Sequence, residues 1–263
     1  MCGILFVDQK QKTISKSNFL KVLKSQKWRG PDNTSFEKFN NDRIFLGHNR
    51  LSILDTKARS NQPMKSDDGR FLLIFNGEIY NYKEIIKKYK LKLRTTSDSE
   101  VLLKSYILKG KNILNDLDGM FSFIIYDRKK SEWFCARDRF GIKPLYIYTD
   151  KIKTVIGSEA GSIAKLLKLK IDNLSIREWK LFRAPTPNYT FFKKLYQFPK
   201  SCYRTNHSHC NIPYYKLKKK SNTINFNKIK KLIDYSVNSH QMGDVSCTSL
   251  LSGGIDSTII LKN

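Results

Sequence analysis

The sequence has 263 residues, with 49 Lys and Arg against 23 Asp and Glu, for a formal net charge of +26. Hydrophobic residues at 40% and aromatics at 12% are enough for a buried core and exclude a largely disordered chain. The first apolar run, Cys2 to Val7, is too short for a signal segment or a membrane span. The five cysteines form no regular framework, so reduced thiols in a cytoplasmic protein are expected.

In chain order, Ile4–Val7 reads as a short buried strand and Ser17 to Gln26 as a helix. Arg29-Gly30-Pro31-Asp32 must turn, because Gly and Pro interrupt any regular element there. Arg43–Arg50 and Phe71–Asn76 are strand candidates, the second a continuous apolar run bounded by Gly69 and Gly77. Tyr82–Tyr89 and Ser99–Lys109 are helical in pattern and close in lysines, where the helix dipole favours cations. Met120–Tyr126 with Glu132–Ala136, and Pro144–Tyr148 with Thr154–Gly157, read as two hairpins. Strands in groups with helices between the groups predict a layered α+β fold with mostly antiparallel sheets. After Pro213 the composition shifts: Lys216–Asn227 is polar and lysine-rich, as in a linker, and Phe226–Ser239 is helical in pattern. Val245–Leu251 then reads as a strand running into Ser252-Gly253-Gly254, with a helix from near Asp256.

The charge raises the question of nucleic acid, and its distribution argues against it. Lysines are scattered singly or in pairs, Lys218–Lys220 is the only run of three, and neither zinc-finger spacing nor an aromatic RNA-binding box occurs. A solvated lysine surface is the expectation, with neither nucleic acid nor membrane as partner. Cys202, His207, His209 and Cys210 offer four metal-type side chains within nine positions. The segment is short and reads as an exposed polar turn, so no metal site is expected.

Cys2 carries the chemical argument. Removal of Met1 would expose it as the N-terminus, where its own α-amine, with a reference pKa of about 7.7–8.0, can act as base for the thiol. Amide hydrolysis also needs an oxyanion hole, and Asn76-Gly77 offers a side-chain amide and a backbone N–H at a strand end. A zwitterionic amino-acid substrate needs a cation for its carboxylate, for which the Arg50 fork is suited, and anions for its ammonium, for which Glu78 and Asp98 are suited. Asp98 could instead cap the helix that follows it. His48 reads as structural.

Taken together, Met1-Cys2-Gly3-Ile4, Arg29-Gly30-Pro31-Asp32, Gly47 to Ile53, Asn76 to Asn81 and Ser97 to Glu100 resemble, in order and spacing, the motifs of class II glutamine amidotransferases. Within that class they are most similar to the glutaminase domain of glutamine-hydrolysing asparagine synthetases. Gly119–Phe123 and Ala136–Tyr146 extend the likeness, while Ser158–Ser162 and Pro199–Tyr203 depart from it. The resemblance implies a four-layer α/β/β/α sandwich of the N-terminal nucleophile hydrolase type, with Cys2 as nucleophile and Asn76 and Gly77 as oxyanion hole. Arg50, Glu78 and Asp98 would hold glutamine, with backbone groups of Leu51 and Ile53 completing the pocket. No cofactor is implied for glutamine hydrolysis itself.

Leu250 to Ser257 resembles the pyrophosphate loop of ATP-pyrophosphatases. A strand feeds Gly253, Gly254 and a helix N-terminus, with Ser252 and Ser257 as hydroxyl donors and Asp256 beside them, and the lysine of a Walker loop is missing. The expected division is a glutaminase domain over 1–217, then a linker helix and the truncated start of an α/β ATP-pyrophosphatase domain over 218–263. ATP, Mg2+ and aspartate would serve the full synthetase reaction only where the rest of that domain is supplied. No ATP-dependent asparagine is therefore expected from these residues alone. The alternative functions are a synthetase-like enzyme with a sugar acid as acceptor of the ammonia and a non-catalytic basic binding protein; the assembly considered is a homodimer.

Overall fold

The computed structural model describes residues 1–208, 210–217 and 225–262. The strands are β1 (Gly3–Gln9), β2 (Asn33–Phe39), β3 (Ile44–Arg50), β4 (Met64–Lys65), β5 (Phe71–Ile79), β6 (Gly119–Asp127), β7 (Glu132–Arg137), β8 (Tyr146–Thr149), β9 (Lys153–Gly157), β10 (Leu195–Gln197), β11 (Cys202–Thr205) and β12 (Ile212–Pro213). The helices are α1 (Lys16–Ser25), α2 (Tyr82–Tyr89), α3 (Asp98–Lys109), α4 (Ala160–Leu167), α5 (Asn173–Phe182), α6 (Phe226–His240) and α7 (Ile255–Lys262). They build two antiparallel six-stranded sheets, ordered β10-β8-β9-β1-β3-β2 and β12-β11-β7-β6-β5-β4.

Period-two alternation makes these sheets a sandwich. In β1, Ile4 and Phe6 point one way, into a layer shared with Leu72 and Ile74 of β5 and Ile124 and Tyr126 of β6. Leu5 and Val7 point the other way, onto Phe19, Val22 and Leu23 of α1 and Ile163 of α4. In β5, Leu73 and Phe75 face Val101 and Leu102 of α3 and Ile85 of α2. Helices, sheet, sheet and helices therefore form four layers with three apolar seams, since both faces of each sheet are covered. At about 25 cal/mol per Å2 of apolar surface buried, such seams are the main favourable contribution to folding.

The strongly apolar elements fall where the sequence places them, and the misses are polar or short. β2 reads NTSFEKF and is half-exposed at a sheet edge, so its alternation carries little contrast. α4 and α5 are begun by side-chain caps, Glu159 accepting from Gly161 and Ser162 and Asp172 from Leu174, which sequence reading did not register. Val245–Leu251 is not a strand. It has no pairing partner among the described residues, and Val245, Leu250 and Leu251 are exposed, so nothing compensates the backbone for leaving water. The helix after it, α7, forms as expected. Part of the expected linker, 218–224 with Lys218–Lys220, lies outside the described residues, as does His209. Of the other metal-type side chains, Cys202 faces the central seam, His207 Nε2 meets Glu132 Oε1 at 3.2 Å, and Cys210 is exposed. No helix among the described residues is long and apolar enough to cross a membrane.

Candidate active site

The alternation that fills the central seam also assembles a site at one end of it. Cys2 continues the Ile4/Phe6 face of β1, Arg50 the Ile44/Leu46/His48 face of β3, and Asn76 and Glu78 the Leu72/Ile74 face of β5. Where the apolar residues stop, these side chains line a cavity of about 250 Å3 together with Leu51, Ile53, Gly77, Ser97, Asp98, Gln62, Lys143 and Met242. Every glutaminase-type residue named from the sequence is in this one cavity. His48 sits behind it, fully buried, its Nε2 within 3.1 Å of the Phe75 carbonyl oxygen, and burial pulls its pKa down to about 4. It is a neutral structural histidine.

Cys2 Sγ meets the backbone of Leu51, accepting from its N–H at 3.5 Å and facing its carbonyl oxygen at 3.8 Å. Arg29 Nε donates to the Cys2 carbonyl at 3.1 Å, and Asp32 Oδ2 accepts from Ser52 N–H at 2.7 Å, so the Arg29–Asp32 turn braces both the cysteine and the loop after Arg50. Gly30 is required there: a Cβ would lie 2.4 Å from the Asn49 carbonyl oxygen. Burial raises the Cys2 thiol above the usual thiol range, opposed by the Leu51 N–H, the α-ammonium and Arg50. A thiol held neutral in this way needs a base beside it. Burial in turn lowers the α-ammonium of Met1, opposed by the Cys2 thiolate and Glu78 and helped by Lys143 and Arg29.

Asn76 is 1% exposed, and neither its Nδ2 nor its Oδ1 has a hydrogen-bond partner among the described residues. Two orphaned polar atoms at the wall of a cavity are costly unless a ligand satisfies them. Gly77 supplies the second donor by register. Phe75 N–H donates to Gln62 Oε1 at 2.6 Å and Ile79 N–H to Asp98 Oδ2 at 3.0 Å, both away from β6. Strand alternation turns the Gly77 N–H to that same edge, between them. Its lack of a side chain is enforced by β6, since a Cβ would lie 2.3 Å from the Met120 carbonyl oxygen.

Arg50 differs from its expected role in detail. Its Nη1 donates to the Lys57 carbonyl and to Asn61 Oδ1, both at 2.9 Å, and its Nη2 to the carbonyls of Leu54, at 3.3 Å, and Asp55. The Nη hydrogens thus hold the 54–57 loop and are not an open fork; among the guanidinium nitrogens Nε alone has no partner among the described residues. Asp98 is not the helix cap: Ser97 is, accepting from Ser99 N–H at 3.1 Å. Asp98 is buried, and burial pushes its carboxyl up to about 7, with Glu78 adding to the effect and the Ile79 N–H opposing it. Burial raises Glu78 as well, opposed by Lys143. Lys143, 6% exposed and lowered by burial, is a site residue that sequence reasoning passed over. Its place in the Gly141-Ile142-Lys143-Pro144 stretch was the available signal.

Two carboxyls raised by burial, Asp98 to about 7, give a signed expectation. An ammonium ligand is attracted only by ionised Asp98 and Glu78, so half-saturation for an amino-acid substrate should rise as pH falls below about 7. The same shift costs stability: a carboxyl raised in the fold contributes stability at low pH that is lost as pH rises through about 7. Asp98→Asn is therefore expected to raise Tm at pH 8 by the equivalent of a few kcal/mol in the ligand-free protein, while weakening substrate binding. Thermal unfolding across pH measures it; a variant less stable than wild type at pH 8 would contradict the burial argument.

A family model described as a glutamine amidotransferase domain matches residues 1–215. The chain belongs to the glutamine amidotransferase family. A second model, asparagine synthase, matches residues 228–262. Among curated proteins, asparagine synthetase [glutamine-hydrolyzing] 1 of Bacillus subtilis is 32% identical, over 100% of this chain and 43% of its own length. Asparagine synthetase B [glutamine-hydrolyzing] of Escherichia coli K12 is also 32% identical, over 99% of this chain and 44% of its own. The chain spans about half the length of the curated relatives it matches. A solved structure described as the allosteric regulatory enzyme of purine biosynthesis superposes at TM-score 0.61 and 15% identity, covering 99% of this chain and 63% of its own, a likeness of fold. The four-layer α/β/β/α sandwich of this amidotransferase is thus the one its motifs imply.

Proposed function

We propose that this amidotransferase hydrolyses glutamine through Cys2, releasing glutamate and ammonia. The observation that carries the reading is the orphaned amide of Asn76 beside the Gly77 N–H, in the cavity that also holds Cys2. After removal of Met1 the α-amine of Cys2 takes the thiol proton, and the thiolate attacks the side-chain amide carbon of glutamine. The oxyanion that forms is held by Asn76 Nδ2 and the Gly77 N–H. Collapse with proton return to nitrogen releases ammonia and leaves a thioester on Cys2, which water hydrolyses to glutamate. Glu78 and Asp98 receive the substrate ammonium. Arg50 faces the carboxylate with Nε and fixes the loop whose backbone at Leu51 and Ile53 closes the pocket.

We further propose a division into a glutaminase domain over 1–217 and the beginning of a synthetase domain over 218–263, in line with where the two family models match. In a longer protein of the relatives' type, the ammonia would amidate aspartate to asparagine, with ATP and Mg2+ activating the carboxylate as an acyl-adenylate. The residues here suit the phosphate part of that role. Gly253 turns at φ 78°, Ser252 Oγ and Ser257 Oγ are 3.0 Å apart, Gly254 N–H donates to Ser252 Oγ at 3.4 Å, and α7 begins at Ile255. Ser252, Ser257 and the backbone of Gly253 and Gly254 would hold phosphate oxygens beside Asp256, with Leu250 leading in.

The test is glutamate and ammonia release by protein of measured mass. Chain lacking Met1 is expected to turn over glutamine, and chain with Met1 retained behind an uncleavable tag to have lost at least about 10²-fold, because the base becomes an amide. Equal activity from the two forms would overturn the α-amine mechanism.

A further inference from the structure

The loop that follows Arg50 is held from an unexpected side. Asp244, which lies between α6 and the glycine turn at Gly253, reaches back across 189 positions: its Oδ2 accepts from the Asp55 N–H at 2.8 Å, and its own N–H donates to the Ile53 carbonyl at 2.8 Å. Gly243 eases this approach, because a Cβ there would lie 3.1 Å from Ile53 Cγ2 and that side chain would have to shift by a few tenths of an ångström. The preceding Met242 lines the cavity, and two residues earlier the His240 ring packs on Tyr80 at 4.0 Å between centroids. The residues just after α6 thus lie against the pocket.

Asp55 is the point through which this contact acts. It stands in the left-handed region at φ 46°, uncommon for a residue with a Cβ, and its side chain is nearly buried. Its carboxylate takes Thr96 N–H at 2.9 Å and Arg59 Nε at 2.9 Å. Its carbonyl accepts Arg50 Nη2, and its N–H is the one held by Asp244. One peptide apart, then, the loop is gripped by Arg50 on one side and by Asp244 on the other. A strained residue keeps its conformation only while its surroundings over-determine it.

We propose that Asp244 is a positioning residue for glutamine: by accepting the Asp55 N–H it fixes the Leu51–Asp55 loop and, through it, the Arg50 guanidinium. The proposal rests on the glutaminase reading above and deepens it. The segment leading to the glycine turn sets the affinity of the glutamine pocket, so whatever moves that segment changes glutamine binding. Asn76 and Gly77 make no contact with the clamp, and Cys2 meets the loop only through two weak contacts to the Leu51 backbone, at the opposite end from Asp55, so the effect falls mainly on binding.

Three chains decide it: wild type, Asp244→Ala and Asp244→Asn. Asp244→Ala removes one charge-assisted hydrogen bond, so KM for glutamine is expected to rise about tenfold with kcat within about twofold. Asp244→Asn keeps an acceptor oxygen and should restore KM to near wild type. Amide hydrogen exchange supplies a readout independent of turnover: the Asp55 amide should exchange at least about tenfold faster in Asp244→Ala and remain protected in Asp244→Asn. An unchanged KM with unchanged Asp55 exchange in Asp244→Ala would overturn the proposal, as would an Asp244→Asn chain as impaired as the alanine variant. If wild type turned over no glutamine, the Cys2 reading would fail by itself, and Asp55 exchange would still decide the clamp.

Discussion

Cys2→Ala is expected to lower kcat for glutamine hydrolysis by at least about 10³-fold while Tm stays within a few degrees of wild type. The sulfur's contacts are two weak ones to the Leu51 backbone, so its loss removes little from the fold. It removes everything from a reaction whose covalent bond forms at that atom. A diazoketone analogue of glutamine, assayed by intact mass and peptide mapping, should add one equivalent to Cys2 in the wild type. Cys135 and Cys202 are buried with thiols pushed up by that burial, so neither competes. Cys210 and Cys247 are exposed and are the controls. An adduct at either with Cys2 untouched would remove Cys2 from the mechanism.

Asn76→Ala should separate catalysis from stability. Loss of one oxyanion donor typically costs about 10²–10³ in kcat, or about 3–4 kcal/mol of transition-state stabilisation, with KM changed far less because the oxyanion exists only in the transition state. In the ligand-free fold the same change removes a buried amide whose nitrogen and oxygen are both unpaired. Relief of that desolvation cost offsets the small void left behind, so Tm should not fall. Steady-state kinetics and thermal unfolding of one preparation measure both quantities. A drop in Tm with kcat preserved would mean that Asn76 serves the fold and that the oxyanion is held elsewhere.

The two effects run in opposite directions for one reason, and it bears on how a site can be read from a chain. Polar groups that serve a ligand are those the fold leaves unsatisfied. Asn76 and Asp98 could be named from sequence as donor and anion, yet their costs could not: an orphaned amide and a carboxyl raised to about 7 come from burial, which is a property of neighbours. The same holds for Arg50. Its identity was legible, but the commitment of its Nη hydrogens to the loop at 54–57 depends on where that loop turns back.

What the sequence determined by itself is local and periodic. The apolar runs Ile4–Val7 and Phe71–Asn76 and the stretch Arg43–Arg50 mark strands, whose period of two sends alternate side chains to one face. The same period, continued past the apolar residues, places Cys2, Arg50, Asn76 and Glu78 on that face. Short-range rules of this kind need no knowledge of partners. Tertiary structure decided whatever depends on residues far apart in the chain. It decided that Lys143 enters the pocket and that Ser97 rather than Asp98 caps α3. It decided that Val245–Leu251 stays unpaired for want of a neighbouring strand among the described residues. It also decided that Asp244 closes on a loop 189 positions earlier. Hydrogen-bond partners, desolvation and strand pairing are set by which surfaces meet, and no local pattern encodes that meeting.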